Sequence, residues 1–135
     1  MIRKVVLASG TFDYLHPGHL NYLKQAKKFG NYLVVIIARN SNIKKFKNKK
    51  AKLSEKDRLE AVKNIDIVDK AILGDKKDIL KSVEKVKPQI ICLGYDQKVK
   101  ESWLKNEFKK RNIKAKIVRA KAHKPKLYKS SFYKK

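Results

Sequence analysis

Two closely spaced histidines, His16 and His19, are the side chains in this sequence whose type and spacing best suit chemistry. Only Pro17 and Gly18 stand between them. Each imidazole can donate a hydrogen bond to an anion, and each can become a cation near neutral pH. The turn 10–13, with the sequence Gly-Thr-Phe-Asp, comes shortly before the pair. Together these residues predict a binding site for a phosphate group.

The segments on either side predict where the turn and the histidines lie in the fold. The apolar run 5–8, Val-Val-Leu-Ala, predicts a strand, and the amphipathic stretch 20–29 predicts a helix. The chain therefore passes from strand to glycine turn to the start of a helix. An α/β fold binds phosphate at such a place because bare backbone N–H groups and the positive end of the helix dipole face the anion.

Apolar runs and amphipathic segments alternate along the whole chain. The apolar runs predict strands at residues 4–9, 32–38, 71–73, 89–93 and 114–118. Helical periodicity predicts helices at residues 18–29, 54–64, 76–86 and 100–111. This alternation predicts an α/β fold with one parallel sheet and right-handed crossovers. With 135 residues, the chain is expected to form a single domain over residues 1–135.

The predicted fold also indicates which loops should flank the ligand. In a doubly wound sheet the ligand binds beyond the carboxyl ends of the strands, where the strand order reverses. We expect the loops after the first and fourth strands to lie there. The fourth-strand loop carries Gly94, Asp96 and Gln97. Asp96 and Gln97 are candidates for hydrogen bonds to a ribose or a base.

The charge balance restricts the partners. Lys and Arg number 36 against 12 acids, which gives a formal net charge of +24. Such an excess suits polyanions such as nucleotides, nucleic acids or a membrane face. The lysines are spread along most of the chain, as they are on an ordinary solvated surface. We therefore expect nucleic acid to bind only non-specifically.

The single cysteine and the short apolar runs restrict the cellular context. Cys92 lies inside the apolar run 90–93 and has no second cysteine to pair with, so it is expected to be a buried small hydrophobe. The first apolar stretch is too short for a signal peptide. No run approaches the ~18 apolar residues of a membrane span. A cytoplasmic protein without a membrane contact is expected.

The ten residues at 10–19 closely resemble the signature of the nucleotidyltransferase superfamily, Gly-Thr-Phe-Asp-x-Leu-His-x-Gly-His. Within that superfamily the segment looks like the small cytidylyltransferase-like group, which includes glycerol-3-phosphate cytidylyltransferases and archaeal FAD synthases. The resemblance implies a Rossmann-like doubly wound sheet of five parallel strands in the order 3-2-1-4-5. It also implies a homodimer, with residues 58–69 as the candidate contact.

The resemblance implies roles for individual residues. His16 and His19 would bind phosphate oxygens and stabilise the transition state. Phe46-Lys47-Asn48 resembles an F-K-G segment whose lysine contacts substrate phosphate, so Lys47 is expected to act in catalysis, although lysines at 44, 45, 49 and 50 leave the register open. The residues expected to bind the nucleotide are Gly10, Thr11, Phe12, Asp13, His16, Pro17, Gly18, His19, Gly94, Asp96, Ser130 and Ser131.

Two further segments complete the comparison with the family. Residues 58–62, Arg-Leu-Glu-Ala-Val, resemble an R-x-x-x-V helix that serves the active site and the dimer contact in relatives. In the basic tail 119–135, Ser130 and Ser131 resemble the Ser/Thr-rich helix start that caps the triphosphate in relatives, and the tail is expected to complete the nucleotide site. The tail departs from the family's R-T-x-G-I-S-T pattern because no arginine precedes the serines; Lys124 or Lys126 must take its place.

The substrates follow from the finer resemblance. Gly-Tyr-Asp-Gln at 94–97 and Val-Asp-Lys-Ala-Ile-Leu-Gly at 68–74 look like the archaeal FAD synthase group, which predicts transfer of AMP from ATP to FMN with release of pyrophosphate. The alternatives are a glycerol-3-phosphate cytidylyltransferase, which uses CTP, and a non-catalytic nucleic-acid-binding domain. The aromatic candidates for a flavin slot are Tyr95, Trp103, Tyr128, Phe132 and Tyr133.

A divalent cation is the expected cofactor. No Asp/Glu/His cluster has the spacing of a metal cage built by the protein alone, so no protein metal site is predicted. Mg²⁺ or a similar ion is instead expected to bind through the oxygens of the nucleotide phosphates.

Overall fold

The computed structural model describes residues 2–41, 43, 51–95, 97 and 99–122. Within these ranges five strands alternate with four helices of eight or more residues. The strands are β1 (Val5–Gly10), β2 (Tyr32–Ile37), β3 (Lys70–Leu73), β4 (Ile90–Leu93) and β5 (Lys116–Arg119). The helices are α1 (Pro17–Lys28), α2 (Glu55–Lys63), α3 (Ile79–Val86) and α4 (Glu101–Arg111).

The strands form one parallel sheet in the order β3-β2-β1-β4-β5. The predicted α/β class and the predicted strand order are thereby confirmed. β1 lies at the centre, with β2 on one side and β4 on the other. The loop after β1 therefore opens at the point where the strand order reverses, which is where doubly wound sheets bind their ligands.

Helices cover both faces of the sheet. On one face α1 and α2 pack through Leu23 and Val62, and on the other α3 and α4 pack through Leu80 and Phe108. The central strands are consequently buried on both sides, which is why they read in the sequence as continuous apolar runs.

Side-chain caps decide where the helices begin. The third helix was predicted from residue 76, but α3 begins at Ile79 because the Asp78 carboxylate accepts a hydrogen bond from the N–H of Leu80 at 3.1 Å. Asp75 similarly accepts from the N–H groups of Lys77 and Asp78, each at 2.9 Å. Short acidic side chains bind nearby backbone in this way and hold it outside the helix.

The other helix ends follow local chemistry as well. The predicted N-cap Ser54 accepts a hydrogen bond from the N–H of Asp57 at 3.0 Å and starts α2. Gly30 follows α1 at a point where any side chain would collide with the carbonyl group of Lys4. In the part of the chain that the structure describes, no helix has the length and apolar character needed to cross a membrane.

Candidate active site

The two histidines form the N-terminal cap of α1. His16 is the N-cap residue, with φ −140°, and its Nδ1 accepts a hydrogen bond from the N–H of Gly18 at 3.0 Å. The Nδ1 of His19 accepts in return from the N–H of His16 at 3.3 Å. This is a capping box in which imidazoles replace the usual hydroxyl and carboxylate groups. The two rings stack with their centroids 3.8 Å apart.

The cap determines what these imidazoles can offer to a ligand. A neutral imidazole has one acceptor nitrogen and one donor nitrogen. Because Nδ1 of both His16 and His19 accepts a backbone N–H, the hydrogen-bond network assigns the proton of each neutral ring to Nε2. Each ring therefore stabilises the helix through one nitrogen and has an N–H donor suited to an anion on the other.

The small residues of the motif are required by these rings. A Cβ on Gly18 would lie 2.8 Å from the Cε1 atom of His16, so a side chain there would displace the cap. A Cβ on Gly10 would lie 2.9 Å from the ring of Phe12. Pro17 occupies the first helical position, where no N–H is needed. The H-x-G-H spacing is therefore a steric consequence of seating two imidazoles on one helix end.

Phe12 supports the histidines from inside the core. Its side chain is buried, and its ring centroid lies 5.4 Å from that of His19 and 6.5 Å from that of Tyr22. The residue has φ 55°, in the left-handed region that costs a non-glycine residue about 1–2 kcal/mol. Burial of the ring offsets this cost. Phe12 is thus a core aromatic that also fixes the orientation of a candidate catalytic ring.

Asp13 orients the loop that follows β2. Its carboxylate accepts hydrogen bonds from the N–H groups of Lys52 at 2.8 Å and Leu53 at 3.0 Å. Burial raises the pKa of the Asp13 carboxyl, but these two bonds and the charge of Arg58 outweigh burial and hold the pKa below its usual value. The family resemblance placed Asp13 among the residues expected to bind the nucleotide; the contacts that the structure shows are with the loop after β2.

Arg58 of α2 is fully buried directly behind the turn. Its Nη1 donates to the carbonyl groups of Thr11 and Ala38, both at 2.8 Å, and its Nη2 donates to Oδ1 of Asn40 at 2.6 Å. Its Nε donates to the carbonyl of Leu53 at 3.3 Å. One guanidinium therefore joins the loop after β1 to both ends of the loop after β2. The sequence predicted a role for this helix at the site but did not show that the arginine points inward.

The loop after β4 lies beside the turn 10–13. The amide of Gln97 accepts from the N–H of Gly94 at 2.7 Å and donates to the carbonyl of Ser9 at 3.1 Å. Both ends of this amide are therefore engaged by backbone, whereas the sequence predicted that they contact a ligand. Arg119, which sequence reasoning missed, donates to three carbonyl groups of the same loop. An arginine directly after the apolar pair Ile117 and Val118 was the available signal.

Several predicted residues cannot be placed. Lys47, Asp96, Ser130 and Ser131 lie outside the described residues, as do the aromatic candidates Tyr128, Phe132 and Tyr133. Their roles stay predictions. Among the residues that the structure does describe, no group of three or more His, Cys, Asp or Glu side chains is arranged to hold a metal ion.

Exposed aromatic side chains occur on both loops that flank the site. Tyr14, in the loop after β1, is 56% exposed, and Tyr95, in the loop after β4, is 58% exposed. Trp103, in the first turn of α4, is also exposed. Tyr14 was not among the aromatic candidates drawn from the sequence.

Cys92 is buried, as predicted, and burial raises the pKa of its thiol to about 11.

This fold, with a histidine-capped helix after the central strand, indicates the class of protein. Residues 7–135 match the cytidylyltransferase-like family. The chain is 51% identical over 106 residues to the FAD synthase of Ferroglobus placidus, covering 78% of this chain and 68% of that one. It is 45% identical over 103 residues to the FAD synthase of Archaeoglobus fulgidus, covering 76% and 74%. The chain belongs to the cytidylyltransferase-like family and is a nucleotidyltransferase, as the motif predicted.

Solved structures agree with this fold. The lipopolysaccharide core biosynthesis protein from Thermoplasma volcanium superposes with a TM-score of 0.87 at 43% identity, covering 90% of this chain and 99% of that one. The pantoate–β-alanine ligase from Francisella tularensis superposes with a TM-score of 0.65 at 18% identity, covering 91% and 61%, and shares the fold.

Replacing Asp13 by asparagine tests the link between this carboxylate and the loop. The folded-state pKa of Asp13 is lowered, so its contribution to stability is present above the unfolded pKa of about 3.9 and is lost as the pH falls through the folded value. We expect Asp13→Asn to be less stable than the wild type at pH 7 and the difference in Tm to shrink below about pH 4. Thermal melts between about pH 2.5 and 7 measure this.

The matched control is Asp66→Asn, which alters an exposed carboxylate in the turn before β3. Its melting profile should follow that of the wild type at every pH. A difference in Tm between Asp13→Asn and the wild type that stays constant over the whole range would contradict the assignment.

Proposed function

We propose that this protein is an FMN adenylyltransferase, an FAD synthase that transfers AMP from ATP to the phosphate of FMN. The named relatives support this substrate pair, at 45–51% identity over about three quarters of the chain. The observation that carries the proposal is the histidine cap, because it directs two N–H donors and a helix N-terminus to one place.

The reaction requires positioned donors and no nucleophilic side chain. A phosphate oxygen of FMN attacks the α-phosphorus of ATP, the bond between the α-phosphorus and the bridging oxygen breaks, and pyrophosphate leaves. Negative charge grows on the α-phosphate oxygens and on the leaving group. Fixed donors that face this charge lower the barrier because they need no reorganisation during the reaction.

Residues of the turn supply these donors in our proposal. The backbone N–H groups of Gly10, Thr11 and Phe12 face the triphosphate, and the Nε2–H groups of His16 and His19 bind the oxygens on which charge develops. Pro17 and Gly18 let the ligand approach the helix end closely. Gly94 lies beside the nucleoside. Asp96, Lys47 and the serines at 130 and 131 would complete the site.

The metal ion is proposed to enter as part of the substrate. Mg²⁺ prefers oxygen ligands and keeps much of its water, so it binds nucleotide phosphates readily. The described residues around the turn offer N–H donors and contain no carboxylate cluster, which suits a Mg·ATP complex held by its phosphates. When bound, the ion neutralises charge on the triphosphate.

The acceptor is proposed to pack against the exposed aromatic rings of the two loops. The isoalloxazine ring of FMN is flat and largely apolar, and such rings stack on aromatic side chains. Tyr14 has φ 58°, and this strained backbone holds a ring that is more than half exposed. A strained backbone that is not offset by burial of the side chain is typical of residues that contact ligands. Tyr95 and Trp103 are further candidates for the flavin slot.

The protein is proposed to act in the cytoplasm as a homodimer and to bind nucleic acid only through general charge attraction. Because Arg58 is buried, the proposed dimer contact at 58–69 must use the exposed side chains of that segment, such as Glu60 and Lys63.

The product of the reaction tests the function directly. We expect ATP, Mg²⁺ and FMN to give FAD and pyrophosphate, with the product identified by mass. CTP with glycerol-3-phosphate serves as the matched reaction, and we expect little or no product from it. A preference for CTP and glycerol-3-phosphate would replace the proposed acceptor and nucleotide, and no product in either reaction would favour a binding protein.

Substitutions of His16 separate its capping role from its proposed catalytic role. Asparagine places an acceptor where Nδ1 lies and is itself a good N-cap, so His16→Asn should keep nearly the wild-type Tm. It lacks the Nε2–H donor, and turnover should fall by about 10²-fold or more. Glutamine reaches the position of Nε2, so His16→Gln should lose less turnover and more stability. Steady-state kinetics and thermal melts measure both effects.

The second histidine is tested in the same assay. His19→Ala should lower turnover by about 10²-fold as well, because it removes one donor of the same kind. Turnover within a few-fold of the wild type in both His16→Asn and His19→Ala would show that the histidines are structural only.

The role of Tyr14 is tested by the affinity for FMN. Tyr14→Leu should raise the KM for FMN by about fivefold, since stacking on an aromatic ring contributes roughly 1 kcal/mol. The KM for ATP should stay within about twofold. Tyr14→Phe keeps the ring and is the matched control, with a KM for FMN near that of the wild type. A KM for FMN in Tyr14→Leu that stays near the wild-type value would remove Tyr14 from the acceptor site.

A further inference from the structure

The central strands separate on the side of the sheet that carries the site. β1 pairs with β2 along its whole length, up to Gly10 beside Ile37. Its pairing with β4 covers only Val6–Ala8 and ends where Ala8 lies beside Cys92. Ser9 is therefore the first residue after this paired segment that has no partner residue in β4, and its backbone groups need other hydrogen bonds.

Two side chains bridge this gap. The hydroxyl of Tyr22, on α1, lies 2.7 Å from the carbonyl oxygen of Cys92 and 3.2 Å from the N–H of Ser9. A hydroxyl has one proton, so the short contact identifies Cys92 as its acceptor, and the hydroxyl oxygen accepts from Ser9. The Ser9 carbonyl in turn accepts from Nε2 of Gln97 at 3.1 Å, and Oε1 of Gln97 accepts from the N–H of Gly94 at 2.7 Å.

Arg119 holds the same loop from β5. Its Nη1 donates to the carbonyl groups of Gly94 at 2.8 Å and Gln97 at 2.9 Å, and its Nη2 donates to the carbonyl of Val99 at 3.2 Å. Three carbonyl groups of one short loop thus converge on one guanidinium. Only a planar fork of donors reaches all three, so lysine is not equivalent here. The loop after β4 is tied to β1 by Gln97 and to β5 by Arg119.

We propose that Gln97 and Arg119 are positioning residues that set the spacing between the Gly10 turn and the Gly94 turn for the nucleotide. This inference rests on the proposed function, in which the nucleotide contacts both turns. The two side chains act through backbone and not through the substrate. If either is lost, the two halves of the nucleotide site keep their composition but lose their fixed separation.

The chain contains a matched control, Gln89, at the opposite end of the same two strands. Oε1 of Gln89 accepts from the N–H of Val5 at 2.7 Å, and Nε2 of Gln89 donates to the carbonyl of Arg3 at 3.3 Å. Gln89, directly before β4, therefore accepts one backbone hydrogen bond and donates another, both to the segment where β1 begins. Gln97 likewise accepts one and donates one, to Gly94 of its own loop and to Ser9 of β1. Because β1 and β4 are parallel, Gln89 at their amino ends and Gln97 at their carboxyl ends lie at opposite ends of the sheet. Gln89 therefore lies away from the site.

The experiment compares Gln97→Leu with Gln89→Leu. Calorimetry with Mg²⁺ and the non-cleavable analogue α,β-methylene-ATP, without FMN, measures the Kd. We expect about a tenfold weaker Kd for Gln97→Leu and a change of less than about twofold for Gln89→Leu, with similar decreases in Tm. In the complete reaction the KM for ATP should rise for Gln97→Leu while kcat and the KM for FMN stay within about threefold.

Two more variants keep the test decisive if Gln97→Leu does not fold. Gln97→Glu keeps the acceptor for Gly94 but cannot donate to Ser9 when ionised, and Arg119→Lys loses the fork. Each should weaken the Kd of the analogue by about three- to tenfold. An unchanged Kd in folded variants at both positions, or an equal loss of affinity in Gln89→Leu, would overturn the proposal.

The wild type separates this inference from the proposed function. A wild-type protein that binds the analogue but makes no FAD would contradict the proposed acceptor alone. A wild-type protein that does not bind the analogue would contradict the nucleotide site and this inference together.

Discussion

The candidate site depends on how the first turn of α1 satisfies its backbone N–H groups. Serine or aspartate is the usual N-cap residue. An aspartate would repel a phosphate, and a serine hydroxyl lacks the second ring nitrogen through which an imidazole can donate a hydrogen bond. Imidazole can accept from the helix through Nδ1 and donate through Nε2, so His16 and His19 stabilise the helix start with one nitrogen of each ring and keep a second nitrogen that can carry a proton. Gly18 is then required by the space that the His16 ring occupies, and Gly10 by the space that the buried Phe12 ring occupies.

A buried charge supports that turn from behind. Removing a guanidinium from water costs several kcal/mol unless its donors are satisfied, and Arg58 is bonded through Nε, Nη1 and Nη2. Burial lowers the pKa of Arg58, and the nearby carboxylates of Asp13 and Glu55 act in the opposite direction. Because its acceptors lie on separate loops, the guanidinium is satisfied only when those loops meet in this one arrangement.

The distribution of acids explains how a chain of net charge +24 keeps a defined structure. Several carboxylates hold elements together. Glu55 pairs with Arg39, Asp69 with Lys27, and Asp78 and Glu84 both with Arg111. The lysines that the structure describes outside these pairs are exposed to solvent. The fixed donors at the turn are a separate feature, since they are backbone and imidazole groups on a rigid helix end.

The sequence by itself determined what depends on neighbours along the chain. In the part of the chain that the structure describes, apolar periodicity predicted the five strands and the four long helices, and the residues at 10–19 predicted the turn and helix start that follow β1, because caps and periodicity act within a few residues. The strand order came from the family resemblance. Tertiary structure alone decided that Arg58 is buried, that Asp13 binds Lys52 and Leu53, and that Gln97 binds Ser9, 88 positions away. Such bonds join loops whose meeting depends on the assembled sheet, so no local pattern of residue types encodes them.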